Sequence, residues 1–403
     1  MREGWSVKQI EAVADTRLGK TLPQGSGRVD GGQRYLRNVN VRWGRVTTDD
    51  LNTMDFSERE QSELELRAGD VLVCEGGEVG RCALITEDMP GVYFQNAIHR
   101  LRSSGAVVPA FLAYAIENLV SSGGLEGVTS QVTIAHLNQT KLRALELLIP
   151  PLAEQHRIVD LIESLDEAIE AAEESESRSL SAYSAVAGGL KGPMTPLSAI
   201  LEKIEAGKSP SGEERQPLAD ERAVLKVSAI GANGFDADEV KTVAPNVELS
   251  SLTRVTSGDL LMVRANGVLS RVGAVCLVPA VGDRYYLSDK TLRLISNPNL
   301  VAPNWLLAAL RAPGVRHQIA QLTGGSDMRN ITQKAILELR IPCPNLDIQA
   351  PTSELLQALV GSATAGRDHG LALRHLRTDL LTALLSGTHE IPVSYDDLLP
   401  DAA

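Results

Sequence analysis

Residues 150–180 read PPLAEQHRIVDLIESLDEAIEAAEESESRSL. The two prolines end a strand and suit the first turn of a helix. Beyond them, apolar residues recur at spacings of 4, 3, 4 and 3, at Ile158, Ile162, Leu165, Ile169 and Ala172. This spacing is typical of a coiled-coil seam, so it predicts a helix that needs a second helix as its partner.

The same seam continues to the end of the predicted helix. It weakens at Glu176 and Ser179, resumes at Tyr183, Val186 and Leu190, and stops where Gly192-Pro193 breaks the helix. A helix of about 38 residues is ~57 Å long, which exceeds the diameter of a small domain. It is therefore predicted to be a spacer between globular domains.

The C-terminal region supplies a partner for this spacer. Between Leu346 and Gly387, leucines recur at helical spacing on both sides of a weak patch that contains Gly361, Gly366 and Gly370. We expect the two helices to pair antiparallel, with the first half of the second helix kinked or loosely packed at the glycine patch.

Length and composition restrict the class of protein. At 403 residues the chain can form two or three domains, each with its own core. The sequence shows neither an apolar run of 18 residues nor a signal peptide, so we expect a cytoplasmic protein that is neither secreted nor membrane-spanning. The four cysteines form no CxxC pair, which favours buried free thiols over zinc or disulfides.

The net charge of −12 is unevenly distributed along the chain. Residues 151–191 carry 3 basic and 9 acidic residues, and residues 346–403 carry 3 and 8, so these regions account for −11 of the total. Residues 1–46, by contrast, carry nine basic and four acidic residues. A basic segment flanked by acidic helices fits a DNA-reading domain whose helices face another protein.

The chain also contains an internal repeat. Six blocks recur in the same order at offsets of 188 to 193 residues, for example Gly69-Asp70-Val71-Leu72 as Gly258-Asp259-Leu260-Leu261, and Leu145–Pro150 as Leu337–Pro342. The two copies differ at many polar positions. The chain is therefore predicted to be a duplication of a globular domain followed by a long helix, with a pseudo-twofold organisation.

Each globular copy reads as α/β (α+β). Short strand-like runs at 35–41, 70–74, 81–86 and 97–102 alternate with glycine-rich turns, and a helix is predicted at about 109–119 with an echo at 303–310. The predicted domains are a first globular domain, a spacer helix, a second globular domain, a second spacer helix and an acidic tail, at 1–150, 151–191, 192–345, 346–388 and 389–403.

The stretch Pro150–Val159 resembles the PPLxEQxRIV signature of the specificity (S) subunits of type I restriction-modification systems. The blocks at 258–263 and 287–291 and the ending Leu380–Gly387 are similar to that family as well. One departure is that the second helix begins Pro344-Asn345-Leu346-Asp347-Ile348-Gln349, without the Pro-Leu-x-Glu-Gln form. If partner subunits dock on both long helices, this departure argues against their docking symmetrically.

The resemblance implies two target recognition domains that each read one half of a split DNA sequence. It implies that the paired helices set the gap between the half-sites and dock two DNA methyltransferase (M) subunits. Restriction (R) subunits are a further partner implied for systems that contain them. S-adenosylmethionine, ATP and Mg²⁺ would be used by partner subunits, with no cofactor, metal or catalytic residue on this chain.

The two nearest matches to motifs for an intrinsic enzymatic activity are incomplete. Asn297-Pro298-Asn299 is the nearest approach to a methyltransferase Asn/Asp-Pro-Pro-Tyr/Phe motif and lacks its second half. Gly207-Lys208-Ser209 imitates the end of a phosphate loop, but Glu202 stands where that loop requires glycine. We therefore expect a non-catalytic chain.

Candidate DNA contacts are polar and basic residues beside short strands. Arginine can bond guanine and asparagine can bond adenine, although a solvated strand edge would have a similar composition. The candidates in the first domain are Arg34, Tyr35, Arg37, Asn38, Asn40, Arg42, Trp43, Arg45, Gln95 and Asn96. Those in the second are Lys226, Ser228, Arg264, Asn266, Arg271, Lys290, Arg329 and Asn330. Because the two sets differ, the sequence predicts an asymmetric bipartite target.

Candidate partner contacts lie at the start of the first spacer helix. Val159 and Leu161 are apolar but off the seam, so helix pairing alone would leave them exposed, and a docked partner would cover them. Glu154 and Glu163 belong to the acidic face, which solvent alone would also explain.

Two other functions remain open from sequence alone. The chain could be the specificity portion of a modification enzyme with its own activity, or a coiled-coil assembly protein that binds no DNA. Incubation of the chain alone with DNA and S-adenosylmethionine tests the first alternative. A salt-dependent gel shift tests the second.

Overall fold

The computed structural model describes residues 2–22, 31–125, 136–231, 234–324 and 329–398. The chain forms two units: unit 1 comprises Met1–Ala171 with His369–Ala403, and unit 2 comprises Ala172–Asp368. Each unit thus contains one globular part and portions of the two long helices.

Unit 1 is an α+β structure. Its globular part consists, in chain order, of β1 (Ser6–Gln9), α1 (Ile10–Val13), β2 (Ala14–Leu18), β3 (Gln33–Leu36), β4 (Val41–Arg42), β5 (Arg45–Val46), β6 (Asn52–Met54), α2 (Glu58–Leu64), β7 (Asp70–Cys74), β8 (Cys82–Leu84), β9 (Val92–Phe94), β10 (Ile98–Ser103), α3 (Pro109–Ser121), α4 (Gln139–Ala144) and β11 (Glu146–Ile149).

Strand β7 lies inside the main sheet of unit 1, whose order is β2-β10-β7-β8. All five of its residues are buried. Val71 and Val73 face a core that contains α3, whereas Leu72 and Cys74 face a second core beneath β3 and β9. Because successive strand residues point to opposite faces, a strand that is buried along its whole length requires cover on both sides.

The second sheet of unit 1 has the order β6-β3-β9. Strand β3 pairs antiparallel with β6 and parallel with β9, in a register that places Leu36 opposite Phe94. The segments that follow these two residues therefore leave the sheet side by side.

Unit 2 repeats this arrangement. After the long helix α5 (Leu152–Gly188), its elements are β12 (Met194–Pro196), β13 (Leu201–Ala206), β14 (Arg222–Leu225), β15 (Ile230–Gly231), β16 (Gly234–Phe235), β17 (Val240–Val243), β18 (Leu260–Val263), β19 (Ala265–Asn266), β20 (Val275–Leu277), β21 (Tyr285–Tyr286), β22 (Thr291–Ser296), α6 (Pro303–Arg311), α7 (Pro313–Leu322), β23 (Arg329–Asn330), α8 (Gln333–Glu338), β24 (Arg340–Pro342) and the second long helix α9 (Leu346–Leu385).

The topology of the two globular parts confirms the duplication. The main sheet of unit 2 has the order β13-β22-β18-β20, and β14 pairs antiparallel with β17 and parallel with β21. Helices α3 and α6 occupy matching positions in the two globular parts. Each begins with a proline in its first turn, at Pro109 and Pro303. The predicted strand at 35–41 is wrong in part, because β3 ends at Leu36 and residues Asn38–Asn40 form a 3₁₀ turn.

The two long helices pair antiparallel in each unit. In unit 1, Ile158 and Ile162 share a core with Leu381 and Leu384. In unit 2, Ser179 Oγ donates a hydrogen bond to Ser362 Oγ at 3.0 Å, and Tyr183 packs with Leu356. The predicted seam residues Ile158, Ile162, Ile169, Ala172 and Tyr183 are all buried.

The glycine patch of α9 does not loosen the helix, contrary to the sequence-based expectation. α9 runs without a break from Leu346 to Leu385. A Cβ atom on Gly366 would lie 3.1 Å from both Ala172 O and Glu176 N of α5. Glycine therefore permits close approach of the two helix backbones where the larger seam side chains are missing.

A buried glutamine fixes the start of each long helix to its globular part. The Gln155 side chain accepts a hydrogen bond from Val108 N at 2.8 Å and donates one to Pro150 O at 2.9 Å. The Gln349 side chain accepts from Ala302 N at 2.9 Å and donates to Pro344 O at 2.7 Å. The second helix thus keeps this junction although it lacks the full Pro-Leu-x-Glu-Gln form.

None of the helices in the described residues combines the length and the apolar character required to cross a bilayer.

Candidate nucleic-acid interface

The paired ends of β3 and β9 bring four of the predicted contact residues together in unit 1. Arg37 and Asn38 follow Leu36, while Gln95 and Asn96 follow its partner Phe94. Backbone bonds hold the two segments, since Gln95 N donates to Leu36 O at 3.1 Å. Residues about 58 positions apart in sequence therefore form one polar surface.

Hydrogen bonds position part of this surface and leave part of it unsatisfied. The guanidinium of Arg37 bonds Asp50 Oδ2 at 2.6 Å, and Asn38 Nδ2 donates to Gly76 O at 3.2 Å. Arg37 Nε, Asn38 Oδ1, Gln95 Oε1 and Arg81 Nε are buried without a hydrogen-bond partner among the described residues. Buried polar atoms without partners are costly, so their concentration here marks a site where a ligand could supply the missing bonds.

Two predicted contact residues are buried and do not belong to the surface. Tyr35 is 4% exposed and packs in the core beneath β3. Asn40 is 3% exposed, accepts a hydrogen bond from Arg37 N and donates one to Asp50 O. Tyr35 and Asn40 therefore shape the turn after β3 from inside.

The β4–β5 hairpin carries the exposed basic residues of this region. Arg34 of β3 and Arg42 and Arg45 of the hairpin are exposed. Trp43 at the hairpin turn donates a hydrogen bond from its indole nitrogen to Glu78 Oε1 at 2.6 Å. This bond lowers the pKa of Glu78, and the Arg81 and Arg42 guanidinium groups act in the same direction. The tryptophan thus anchors the hairpin to the 76–81 loop.

The equivalent surface of unit 2 has a different set of side chains. Lys226 follows β14 and lies 3.7 Å from Glu214 and 3.9 Å from Glu239, and the Ser228 hydroxyl donates to Glu239. Lys290 is exposed on the segment that follows β21. Position 37 of unit 1 and position 226 of unit 2 therefore hold different cations with different acidic partners.

Four of the other predicted residues of unit 2 meet in a two-stranded ribbon. Strands β19 and β23 pair Asn266 with Arg329, and Arg264 Nε donates to Asn330 Oδ1 at 3.2 Å. Arg264 N also bonds Lys290 O at 2.8 Å, which places the ribbon beside the end of β21. Arg271 belongs to the short 3₁₀ turn Leu269–Arg271 after β19 and lines a cavity beside α5. Gln131 and Thr133 of the first domain lie outside the described residues.

The predicted partner contacts on α5 require correction. Val159 is 8% exposed, and both Val159 and Leu161 pack against the core of unit 1. The helix packs against its own globular part as well as against α9, so residues off the seam are also covered. Glu154 accepts hydrogen bonds from Arg2 and Trp5, both at 2.9 Å. Of the four predicted residues, Glu163 alone is exposed.

Other apolar residues of the long helices are exposed. They are Leu152 and Leu180 on α5, and Ile348, Leu355, Val360, Leu371 and Leu376 on α9, with exposures from 38% to 57%. A second protein docked on the helices would cover these residues, but apolar residues exposed singly are also ordinary on a protein surface.

Sequence reasoning missed a charged cluster in unit 1. Arg377 of α9 bonds Glu117 of α3 at 2.6 Å and Asp166 of α5 at 2.5 Å, and its guanidinium lies 5.5 Å from the Tyr114 ring centre. These residues join three helices that are distant in sequence. The apolar seam beside these residues predicts that the helices pair, but it does not predict the charged contacts.

The described residues contain no group of three or more His, Cys, Asp or Glu side chains placed to hold a metal ion. The candidate surface consists of cations, amides and one indole, and groups of these types can bind nucleic acid by hydrogen bonds and charge.

Comparison with known proteins matches part of the chain to one family. The family described as "Type I restriction modification DNA specificity domain" matches residues 2–177. Both this match and the curated relatives make the chain similar to the specificity subunits of type I restriction-modification systems. The duplicated topology agrees with the crystal structure of a type I S subunit from M. genitalium, with a TM-score of 0.61 and 15% identity over 94% of this chain and 96% of that one.

The matches to curated relatives extend over different lengths of this chain. The MjaX specificity subunit of Methanocaldococcus jannaschii is 21% identical over 96% of this chain and 93% of its own length. The EcoBI specificity subunit of Escherichia coli is 23% identical over 53% of this chain, which spans half the length of that relative. A chain from a structural study of type I complex assembly matches with a TM-score of 0.53 and 16% identity, over 96% of this chain and 98% of that one.

Proposed function

We propose that this chain is the non-catalytic DNA-reading subunit of a type I restriction-modification complex and that it reads an asymmetric bipartite target. The observation that carries the proposal is the pair of equivalent polar surfaces at the ends of β3/β9 and β14/β21. The topology of the two surfaces is the same, but Arg37 is replaced by Lys226, and Gln95-Asn96 by Ser288-Asp289. Equal scaffolds with unlike side chains suit two different half-sites.

In unit 1 we assign base reading to the polar cluster at the strand ends and phosphate binding to the exposed arginines of the hairpin. Asn38 and Gln95 have buried amide oxygens without partners, and these can accept hydrogen bonds from base amino groups. Arg34, Arg42 and Arg45 are exposed and suit the phosphate backbone. In unit 2 the corresponding roles fall to Lys290 and to the ribbon formed by β19 and β23.

These assignments predict separable effects on DNA binding. Alanine at Arg42 and Arg45 should weaken binding to all sequences and reduce the salt dependence by about one unit of slope per lost phosphate contact. Substitution of Gln95 should instead relax specificity at the half-site read by unit 1. Fluorescence anisotropy measures the salt dependence in a salt titration and the specificity by comparison of DNA sequences. Arg59→Ala, at an exposed arginine of α2, is the control. If the Arg42/Arg45 variant kept the wild-type salt slope, the phosphate assignment would be wrong.

We further propose that the long helices set the gap between the half-sites and dock methyltransferase subunits. Antiparallel pairing within each unit and the exposed apolar residues of α9 support this role. Insertion of seven residues in both helices keeps the seam and adds ~10.5 Å at ~1.5 Å per residue. That length corresponds to about three base pairs of DNA.

Methylation mapping in a host that expresses this variant and its methyltransferase subunit tests the spacer role. We expect a longer gap and unchanged half-sites. A changed half-site with an unchanged gap would refute it. The purified chain alone should transfer no methyl group from S-adenosylmethionine to DNA, since we place ATP, Mg²⁺ and S-adenosylmethionine on partner subunits.

A further inference from the structure

Unit 2 contains a cavity of about 640 Å³ beside the C-terminal half of α5. Its apolar wall includes Leu180 and Val275, and its polar groups include Tyr183, Arg271, Arg311 and Arg316. The volume is in the range of ligand-binding pockets, and an apolar wall with a few convergent polar groups is their usual composition.

The cavity is cationic and lacks a counter-charge. None of the residues that line it is Asp or Glu, within the part of the chain that the structure describes. Arg316 donates from Nη2 to Ser270 O and Val272 O, both at 2.8 Å, but its Nη1 is buried without a partner among those residues. Burial lowers the pKa of Arg316, because no carboxylate compensates for the lost hydration.

A second polar group in the cavity also lacks a partner. Tyr183 is 6% exposed, and no atom of the described residues lies in hydrogen-bond geometry with its hydroxyl. Burial raises the pKa of this hydroxyl, and the nearby Arg311 guanidinium opposes the rise. The Arg311 guanidinium lies 5.7 Å from the centre of its ring. The N-terminus of α7 begins at the cavity wall with Ala312 and Pro313, and no side chain caps it. Each of these features favours an anion.

Unit 1 fills the same place with its own carboxylates. The alignment of Gln155 with Gln349 makes Arg377, Glu117 and Asp166 of unit 1 equivalent to Tyr183, Arg311 and Val360 of unit 2. In unit 1 the two carboxylates bind the arginine. The repeat likewise aligns Glu78 with Arg271. Three acidic positions of unit 1 are therefore basic or apolar in unit 2.

We propose that this cavity binds a carboxylate side chain carried on an apolar segment of the docked methyltransferase subunit. The inference rests on the proposed docking of that subunit on the long helices. A carboxylate matches the arginines, the free hydroxyl and the helix N-terminus, and an apolar segment matches the Leu180 side of the cavity. A DNA phosphate would leave the apolar wall in contact with water, so we favour a protein ligand.

The first test measures the affinity of the full chain for its purified methyltransferase subunit by calorimetry, without DNA. We expect Tyr183→Phe to weaken binding about fivefold and Arg271→Glu at least about tenfold, as for loss of a hydrogen bond and of a charged pair. Neither variant should lower the melting temperature, because the hydroxyl is unsatisfied and Arg271 is exposed. Lys334→Glu, an exposed residue of α8, is the control and should bind as wild type.

Two outcomes of this experiment contradict the inference in different ways. Wild-type affinity in both variants would overturn the cavity assignment and leave helix docking intact. Failure of the wild-type chain to bind the methyltransferase subunit would overturn docking and the cavity assignment together.

The second test identifies the occupant directly. A photo-crosslinking amino acid at Leu180, which is 38% exposed, is activated in the assembled complex with DNA, and the linked product is analysed by mass spectrometry. We expect a methyltransferase peptide that contains Asp or Glu beside apolar residues. Crosslinking to DNA, or to a peptide without an acidic residue, would overturn the proposal.

Discussion

Replacement of Gln155 by leucine should show how firmly the long helix is held to its recognition domain. The side chain is 1% exposed, and its loss leaves Val108 N and Pro150 O without their bonds of 2.8 Å and 2.9 Å. Two unsatisfied backbone groups cost ~1–3 kcal/mol each, and the added apolar surface offsets part of that cost. We expect a loss of ~2–4 kcal/mol from a total stability of ~5–15 kcal/mol.

Urea denaturation followed by circular dichroism measures this loss, and hydrogen exchange at the Val108 amide reports the broken bond locally. Gln357→Leu on the exposed face of α9 is the matched control and should change stability by less than ~0.5 kcal/mol. Gln349→Leu should reproduce the Gln155 effect, because the two junctions have the same geometry. If Gln155→Leu were as stable as the control, the hydrogen bonds would not be what fixes the helix.

The same substitution should affect the gap between the half-sites. A loosened junction lets the recognition domain tilt on its helix, so methylation mapping should find sites whose gap is longer or shorter by one base pair. The half-sites themselves should be unchanged, because Gln155 lies away from the polar surface at the ends of β3 and β9. Unaltered gap stringency in a variant that is destabilised as expected would refute this mechanical role.

Three further substitutions test other parts of the structure. Arg377→Met removes the cation shared by Glu117 and Asp166, whose side chains are 26% and 40% exposed, so it should destabilise unit 1 by ~1–2 kcal/mol. Arg178→Met in an exposed pair should cost under ~0.5 kcal/mol in the same denaturation assay. Glu163 is exposed, but partial loss of hydration and then the neighbouring Asp160, Asp166 and Glu167 raise its pKa. Its contribution to stability is therefore lost as pH rises through the folded-state pKa, and Glu163→Gln should raise the melting temperature at pH 7 but not at pH 4. Gly366→Val places side-chain atoms against the α5 backbone and should cost ~1–3 kcal/mol; equal stability would contradict close helix contact.

The periodic parts of the sequence predicted the fold well. The seam through Ile158 and Ile162 depends on local spacing, and the duplication is visible because the strand blocks around Asp70 and Asp259 keep their order. The glycine patch of α9 was misread because a sequence does not show what faces a glycine. In the structure, the backbone of α5 faces Gly366.

The candidate site was harder to predict residue by residue. The polar composition of residues 34–45 pointed to the candidate segment. The alternation of polar and apolar residues could not show that the side chains of Tyr35 and Asn40 are buried. Contacts between distant segments, such as Arg377 with Glu117 and Asp166, depend on tertiary packing and have no local signal. Val159 was misplaced because the helix packs on two partners.

The proposal that each globular domain reads its own half-site is tested most directly by exchange of one domain, followed by single-molecule mapping of methylated bases. Residues 1–150 are replaced by the corresponding part of a specificity subunit with a different known half-site, and the variant is expressed with its methyltransferase subunit. We expect one half-site to change while the other half-site and the gap stay the same. A change in both half-sites, or methylation at a single contiguous motif, would contradict it.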